Sequence, residues 1–171
     1  MPERAKVLEY IIIESPSEFS CSKILSDEDI EWLKWASSTE VGNKGREVAT
    51  QAIEAGELPE LGEAKLVARE VKIKGTEGKS RKIDSVFQTE DGHIVIVEFK
   101  ASKTSKDYLE DYSEDGIEQL KDYKKIIEEN GLDLSRKDLG IKKAKDIAAY
   151  VVYVFFNLKN KKVEIGHKFL K

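Results

Sequence analysis

Cysteine is nearly missing from this chain: Cys21 is the only one in 171 residues. A single thiol excludes an internal disulfide, a thiolate zinc cage and a cysteine-ligated iron–sulfur cluster. Histidine is almost as scarce. His93 and His167 have no partner at ligand spacing, and neither forms a nucleophile–base pair with Cys21 or a serine. No run of about 18 apolar residues occurs, so no membrane-spanning helix is expected. The N-terminal MPERAKVLEYIII carries acidic residues and no small-residue cleavage site, and does not read as a signal peptide. The expectation is a soluble, cytoplasmic chain with no membrane partner.

Charge, by contrast, is plentiful: 36% of residues are charged and 40% hydrophobic, a globular balance on a chain long enough for one domain with a sizeable core. The net charge of −4 is unevenly spread. Residues 1–63 hold 6 Lys+Arg against 14 Asp+Glu, net −8, and the remainder holds 23 against 19, net +4. Any binding to phosphate therefore depends on local patches rather than on the overall field.

The most informative stretch is KIDSVFQTEDGHIVIVEFK, residues 82–100. Two runs rich in Val, Ile and Phe, Ile83 to Gln88 and His93 to Lys100, flank Thr89-Glu90-Asp91-Gly92 and predict a β-hairpin. The second run is almost wholly apolar, as for a strand covered on both faces, yet it ends in Glu98-Phe99-Lys100. Residues two apart on a strand share a face, so a carboxylate and an amine leave a buried sheet side by side. Register decides whether Asp84 joins them. A two-residue loop, Asp91-Gly92, sets Asp84 opposite Phe99; a three-residue loop ending in a left-handed Gly92 sets Asp84 opposite Glu98. The second is expected here. Asp84 and Glu98 together could hold Mg²⁺ or Mn²⁺ through oxygen, with the Lys100 amine placed to position a water for attack on phosphorus.

Asp84 followed by Glu98-Phe99-Lys100 across a hairpin resembles the PD-(D/E)XK nuclease signature. Downstream, Gln119 and Tyr123 lie four apart on a predicted helix and so share a face; this QxxxY is similar to the extra motif of the RecB-like branch of that superfamily. The resemblance implies that Phe99 lends a backbone carbonyl to the metal. It implies that Gln119 and Tyr123 contact substrate or order the site. Nucleases of this type also carry a Glu or His on the helix before the meander, which by position is Glu47, as a further ligand or holder of water. An acidic residue favoured by the helix dipole is the structural alternative for Glu47. With Glu47 included, the match spans about residues 42 to 125.

The rest of the chain supports this frame. Val7 to Ile13 reads as an edge strand or arm, and Ser26 with Asp29 as a helix cap. Ile30 and Leu33 mark the packed side of that helix, with Trp32 and Trp35 as core or interface anchors. Val41 to Gly45 reads as a loop before a helix from Arg46 to about Ala55, closed by Gly56. Glu63 to Lys74 is the first meander strand, with Val67, Val71 and Ile73 inward. Lys72, Lys74, Lys79, Arg81 and Lys82 form either a phosphate-contacting rim or an exposed hairpin end. Ser102 and Lys103 begin a hydroxyl-rich basic segment suited to touching a nucleic-acid backbone. A helix follows to about Glu129, then Ala148 to Asn157 as a buried strand parallel to the Glu98 strand, and a last strand from Val163 to Phe169. The predicted architecture is α/β: helix, three-strand antiparallel meander, helix, strand, strand, with a mixed central sheet and flanking helices. It is similar to the restriction-endonuclease-like fold. Residues 1–171 form one domain, with 1–40 as a helical or arm-like extension and the core from about 42 to 171.

The resemblance implies a phosphodiester hydrolase dependent on Mg²⁺ or Mn²⁺. Asp84, Glu98, Lys100 and Glu47 would act at the site, on nucleic acid, with DNA favoured over RNA and a homodimer in keeping with the family. Two rivals stand beside it: a nucleic-acid-binding protein whose chemistry has lapsed, and a nuclease toxin domain held by an immunity protein.

Overall fold

In the computed structural model, residues 10–11, 21–58, 61–74, 80–104, 106–130 and 147–170 are described. Their elements are β1 (Tyr10–Ile11), β2 (Cys21–Ile24), α1 (Asp27–Trp35), α2 (Ser38–Glu54), β3 (Ala64–Lys74), β4 (Ser80–Thr89), β5 (Ile94–Ser102), α3 (Lys106–Asn130), β6 (Ala148–Asn157) and β7 (Lys162–Leu170). Lys79 of the expected basic rim lies outside the described residues, as does most of the Val7 to Ile13 run.

The strands form one mixed sheet in the order β1-β7-β6-β5-β4-β3, with β2 pairing the same strand, β7, as β1 does. β3, β4 and β5 are an antiparallel meander. The chain then passes through α3 and returns as β6, parallel to β5, the crossover that a parallel neighbour requires. Alternation along β5 sorts the core into two layers. Val95, Val97 and Phe99 pack with α1 and α2 through Leu33, Ala49 and Ile53. Ile94 and Ile96 pack with α3 through Ile117, Leu120 and Ile127. Each aliphatic side chain fully buried in this way contributes about 1.5–3 kcal/mol. No described helix is long and apolar enough to cross a membrane.

Local chemistry explains the helix ends. Ser26 caps α1 by accepting the Asp29 N–H at 3.0 Å. Ser37 and Glu40 form a reciprocal capping box at the start of α2, and this moves the helix start well before the expected Arg46. Val41 to Gly45 is thus helical rather than a loop. Gly45 does not break the helix because it has a packing role: a Cβ there would sit 2.5 Å from Ala101 Cβ on β5. At the other end Gly56, at φ +74°, closes a Schellman motif through Glu57 N–H to Ala52 O and Gly56 N–H to Ile53 O.

Two further expectations are corrected. Ile30 and Leu33 are buried, but Trp32 is 42% and Trp35 83% exposed, so the tryptophans are not core. A β-bulge between Leu66 and Ala68 interrupts the alternation of β3. Val67 is only half-buried in consequence, while Val71 and Ile73 stay inward.

Candidate functional site

β5 brings two charged groups into the sheet. Glu98 and Lys100 are each 8% exposed, share the face that carries Ile94 and Ile96, and lie beside Val151 and Tyr153 of β6. Their side chains approach to 3.6 Å, Lys100 Nζ to Glu98 Oε2.

The hairpin register delivers the third group. Ser85 faces Val97 and Gln88 faces Ile94. Thr89 N–H donates to His93 O at 2.9 Å, and Gly92 takes φ +90°. This is the three-residue loop, and one further step sets Asp84 across from Glu98. The ladder stops at Ser85–Val97, however. In this register the Phe99 N–H points toward β4, and the Asp84 carboxylate accepts it at 3.3 Å through Oδ2. The Phe99 carbonyl leaves the strand on the same side. Asp84 Oδ1 meets Arg46 Nε of α2 at 3.1 Å. That contact is an ion pair without hydrogen-bond alignment, and Arg46 Nε is buried with no aligned acceptor among the described residues.

Beyond the end of the ladder opens a cleft of about 370 Å³, lined by Asp84, Glu98 and Lys100 from the sheet and by Gly42, Asn43 and Arg46 from α2. Its electrostatics are those of charges taken out of water. Burial, then repulsion from Asp84, pushes the Glu98 carboxyl up to about 7, against the pull of Lys100. Burial also raises Asp84 above the usual carboxylate range, despite Arg46 beside it. Glu98 Oε1 is buried with no hydrogen-bond partner among the described residues. A second guanidinium stands near: Arg69 of β3 donates to Ser85 Oγ at 3.2 Å and Thr50 Oγ1 at 3.1 Å.

α3 closes the other side. Tyr123 is buried and its hydroxyl donates to Lys82 O at 2.9 Å. Burial, then the fields of Glu98 and Asp84, pushes it up to about 12. One turn earlier Gln119 is half-buried, with Oε1 lacking a partner among the described residues.

Three expected site residues are placed elsewhere. Glu47 does not line the cleft. Side chains advance about 100° per helical residue; with Gly45 pressed on β5, Arg46 turns to the cleft and Glu47 turns away. Its side chain is 62% exposed and lines a separate cleft with Glu28, Asp29, Trp32 and Glu40. Lys103 spends its ammonium on α1, donating to Leu33 O at 2.6 Å, Ala36 O at 2.9 Å and Lys34 O at 3.3 Å. This is helix C-terminal capping by a cation. Ser102 is buried and bonded to the Thr104 hydroxyl and N–H. Of the basic rim, Lys82 pairs with Glu70 and Arg81 with Asp122. His93 is exposed beside Asp91, as a surface histidine would be.

Sequence reading missed Arg46 and Arg69. The signal for Arg46 was available: Thr39, Asn43, Arg46 and Thr50 form one stripe at helical spacing, which vanishes if the helix is begun at Arg46. Nothing local distinguishes Arg69, whose role depends on Thr50 and Ser85 far along the chain.

Among the described residues no group of three or more His, Cys, Asp and Glu side chains converges. Two carboxylates do, and their chemistry suits a hard divalent cation. Glu98 Oε1 is orphaned among the described residues, burial raises both carboxyls, and repulsion from Asp84 adds to the rise at Glu98, a load that a cation would relieve. Mg²⁺ is commonly held by one or two carboxylates with several waters retained. No protein-family model, no curated protein and no solved structure matches the chain.

Proposed function

We propose that the chain is a divalent-metal-dependent phosphodiesterase of PD-(D/E)XK type, on a restriction-endonuclease-like fold, hydrolysing nucleic-acid backbones with DNA as the expected substrate. The observation that carries this reading is the cleft at the end of the β4–β5 ladder, where half-buried Asp84 and buried Glu98 meet Lys100 although these residues would cost less in water. The cluster recommends itself as a site because burial and like charge perturb its carboxylates without full compensation from within the protein.

Asp84, Glu98 and the Phe99 carbonyl would hold Mg²⁺ or Mn²⁺, which when bound acidifies water and offsets charge on phosphorus. Lys100, fixed against Glu98, places a positive charge beside the reacting phosphate and counters the negative charge that develops there. Tyr123 keeps its proton and therefore donates rather than accepts. Pinned to Lys82 O, it braces α3 against the site. Gln119 has an unused acceptor to offer a sugar hydroxyl or a base edge.

The test is plasmid nicking by the purified chain with Mg²⁺ or Mn²⁺, alongside a duplex and a single-stranded RNA. Cleavage should require the metal, cease with chelator, vanish in Glu98→Gln and fall about 10²–10³-fold in Lys100→Met. Metal-independent cleavage, or a Glu98→Gln variant equal to wild type, overturns the reading. One observation favours a second reading, a nucleic-acid-binding protein without hydrolysis: Arg46 occupies Asp84 and Glu47 stands outside the cleft, so the acidic set is two rather than three. Retained DNA binding with no cleavage in either metal would select it.

A further inference from the structure

In the cleft, Arg46 sits directly on a carboxylate that the metal-dependent reading needs. Its Nε lies 3.1 Å from Asp84 Oδ1, close enough that a metal ion on that oxygen would be set against a positive charge. The contact is also poorly made, since Nε is buried without an aligned acceptor among the described residues. Arg46 and Lys100 line the cleft with Asp84 and Glu98, and the hydrogen bonds of Arg69 go to the neutral hydroxyls of Ser85 and Thr50, with Asp84, Glu54 and Glu70 near enough for their fields to act on it. The Arg46 and Arg69 charges lie near enough to oppose each other, the field of Arg46 following burial as a cause that lowers Arg69. Two guanidinium groups in mutual repulsion, one of them with an unaligned ion pair, form an arrangement that a further anion would relieve.

We infer that Arg46 is a two-position ligand. It pairs with Asp84 in the cation-free protein, and swings to a non-bridging oxygen of a phosphodiester when a divalent cation takes Asp84. The inference rests on the metal-dependent reading of the cleft and adds a coupling to it. A cation displaces Arg46 and thereby creates phosphate affinity; a phosphodiester draws Arg46 away and thereby uncovers Asp84. Linkage makes these two effects equal. The guanidinium suits the second position because its planar fork can take two phosphate oxygens at once. Asn43, one turn earlier on the same stripe, lines the same cleft.

The full chain would be titrated with Mn²⁺ alone by calorimetry. It would then be titrated with a phosphorothioate duplex, which resists cleavage, by fluorescence anisotropy with and without Mn²⁺. Wild type should bind the duplex about tenfold tighter with Mn²⁺ present. Arg46→Gln should bind Mn²⁺ alone several-fold tighter than wild type, and its duplex affinity should respond to Mn²⁺ several-fold less than that of wild type. Arg46 lies on the surface of α2 with its side chain 30% exposed, so the variant should keep the wild-type circular dichroism. If it does not, Arg46→Lys carries the test. A single ammonium cannot span two phosphate oxygens, so the coupling should drop several-fold, and a full wild-type coupling there would overturn the inference. Equal coupling in wild type and Arg46→Gln, or weaker Mn²⁺ uptake by Arg46→Gln, also overturns it while leaving the metal-dependent reading intact. No Mn²⁺ uptake by any of the proteins brings down both.

Discussion

Two clefts flank α2, and both are rich in acid. One, of about 560 Å³, gathers Glu28, Asp29, Glu40 and Glu47 around Trp32. The other, of about 370 Å³, holds Asp84 and Glu98. The first has twice the carboxylates, yet it has the less exacting chemistry. Its acids stand on helix surfaces, where water solvates each one, and Glu40 is engaged in the capping box with Ser37. In the second, β5 carries Glu98 into a layer of Ile and Val, where every charge must be met by a neighbour or go unpaid. A count of acidic residues thus favours one side of α2, and burial with partnership favours the other, where the proposed site lies.

The sharpest way to break this comparison is to neutralise Glu98. The folded protein holds that carboxyl at about 7 against an ordinary 4.5, so between these values the folded state binds a proton that the unfolded state has released. Stability of the metal-free protein therefore falls as pH rises through this window. Glu98→Gln removes the penalty. The variant should match wild type near pH 4, where both states bind the proton, and exceed it by about 2–3 kcal/mol at pH 8. Urea unfolding in chelator at the two pH values measures it. A variant less stable than wild type at pH 8 would mean that Lys100 and Arg46 compensate Glu98 fully, and the contrast between the clefts would disappear.

What the sequence disclosed, and what it hid, follows the reach of the interactions. The apolar run of β5, the buried β6, the cap at Ser26 and the three-residue hairpin loop are local patterns, and all were legible. The loop mattered most, since Gly92 sets the register that brings Asp84 toward Glu98. The misreadings came from partners distant in sequence. Gly42 and Gly45 look like breakers until the approach of α2 to β5 supplies Gly45 with a reason, and misplacing that helix start concealed the stripe that carries Arg46. Lys103 looks free to grip a phosphate backbone because the carbonyls it caps lie 67 to 70 residues earlier. Trp32 and Trp35 were read as core or interface anchors, and the core half of that reading fails because the helix positions of Ile30 and Leu33 had already claimed the packed side.

Lys103 gives a smaller effect of a different kind. Lys103→Met removes the cation from three carbonyls at the end of α1 and should cost about 1–2 kcal/mol of stability. Duplex affinity, extrapolated to the fully folded protein, should stay within about twofold of wild type. A loss of affinity without a loss of stability would return this lysine to the binding surface and extend the working cleft along the Ser102–Thr104 segment.

Glu47→Gln should change least. The side chain is mostly in water, and its Lys44 contact is long at 3.8 Å. An exposed pair of this kind contributes little, so stability should move by less than about 0.5 kcal/mol. More tellingly, Mn²⁺ uptake and plasmid nicking should be unchanged, because Gly45 fixes the rotation of α2 and leaves Glu47 directed at the Trp32 cleft. A marked loss of metal affinity in Glu47→Gln would require α2 to turn or shift so that its acidic neighbour replaces Arg46 at the site. Gly45→Ala would then separate the two arrangements: its Cβ cannot fit against Ala101, so a helix that must keep this contact to work would lose function together with packing. With Glu47 silent, the difference between the clefts lies in one residue of rotation along α2, which sets Arg46 on Asp84 and leaves Glu47 to solvent.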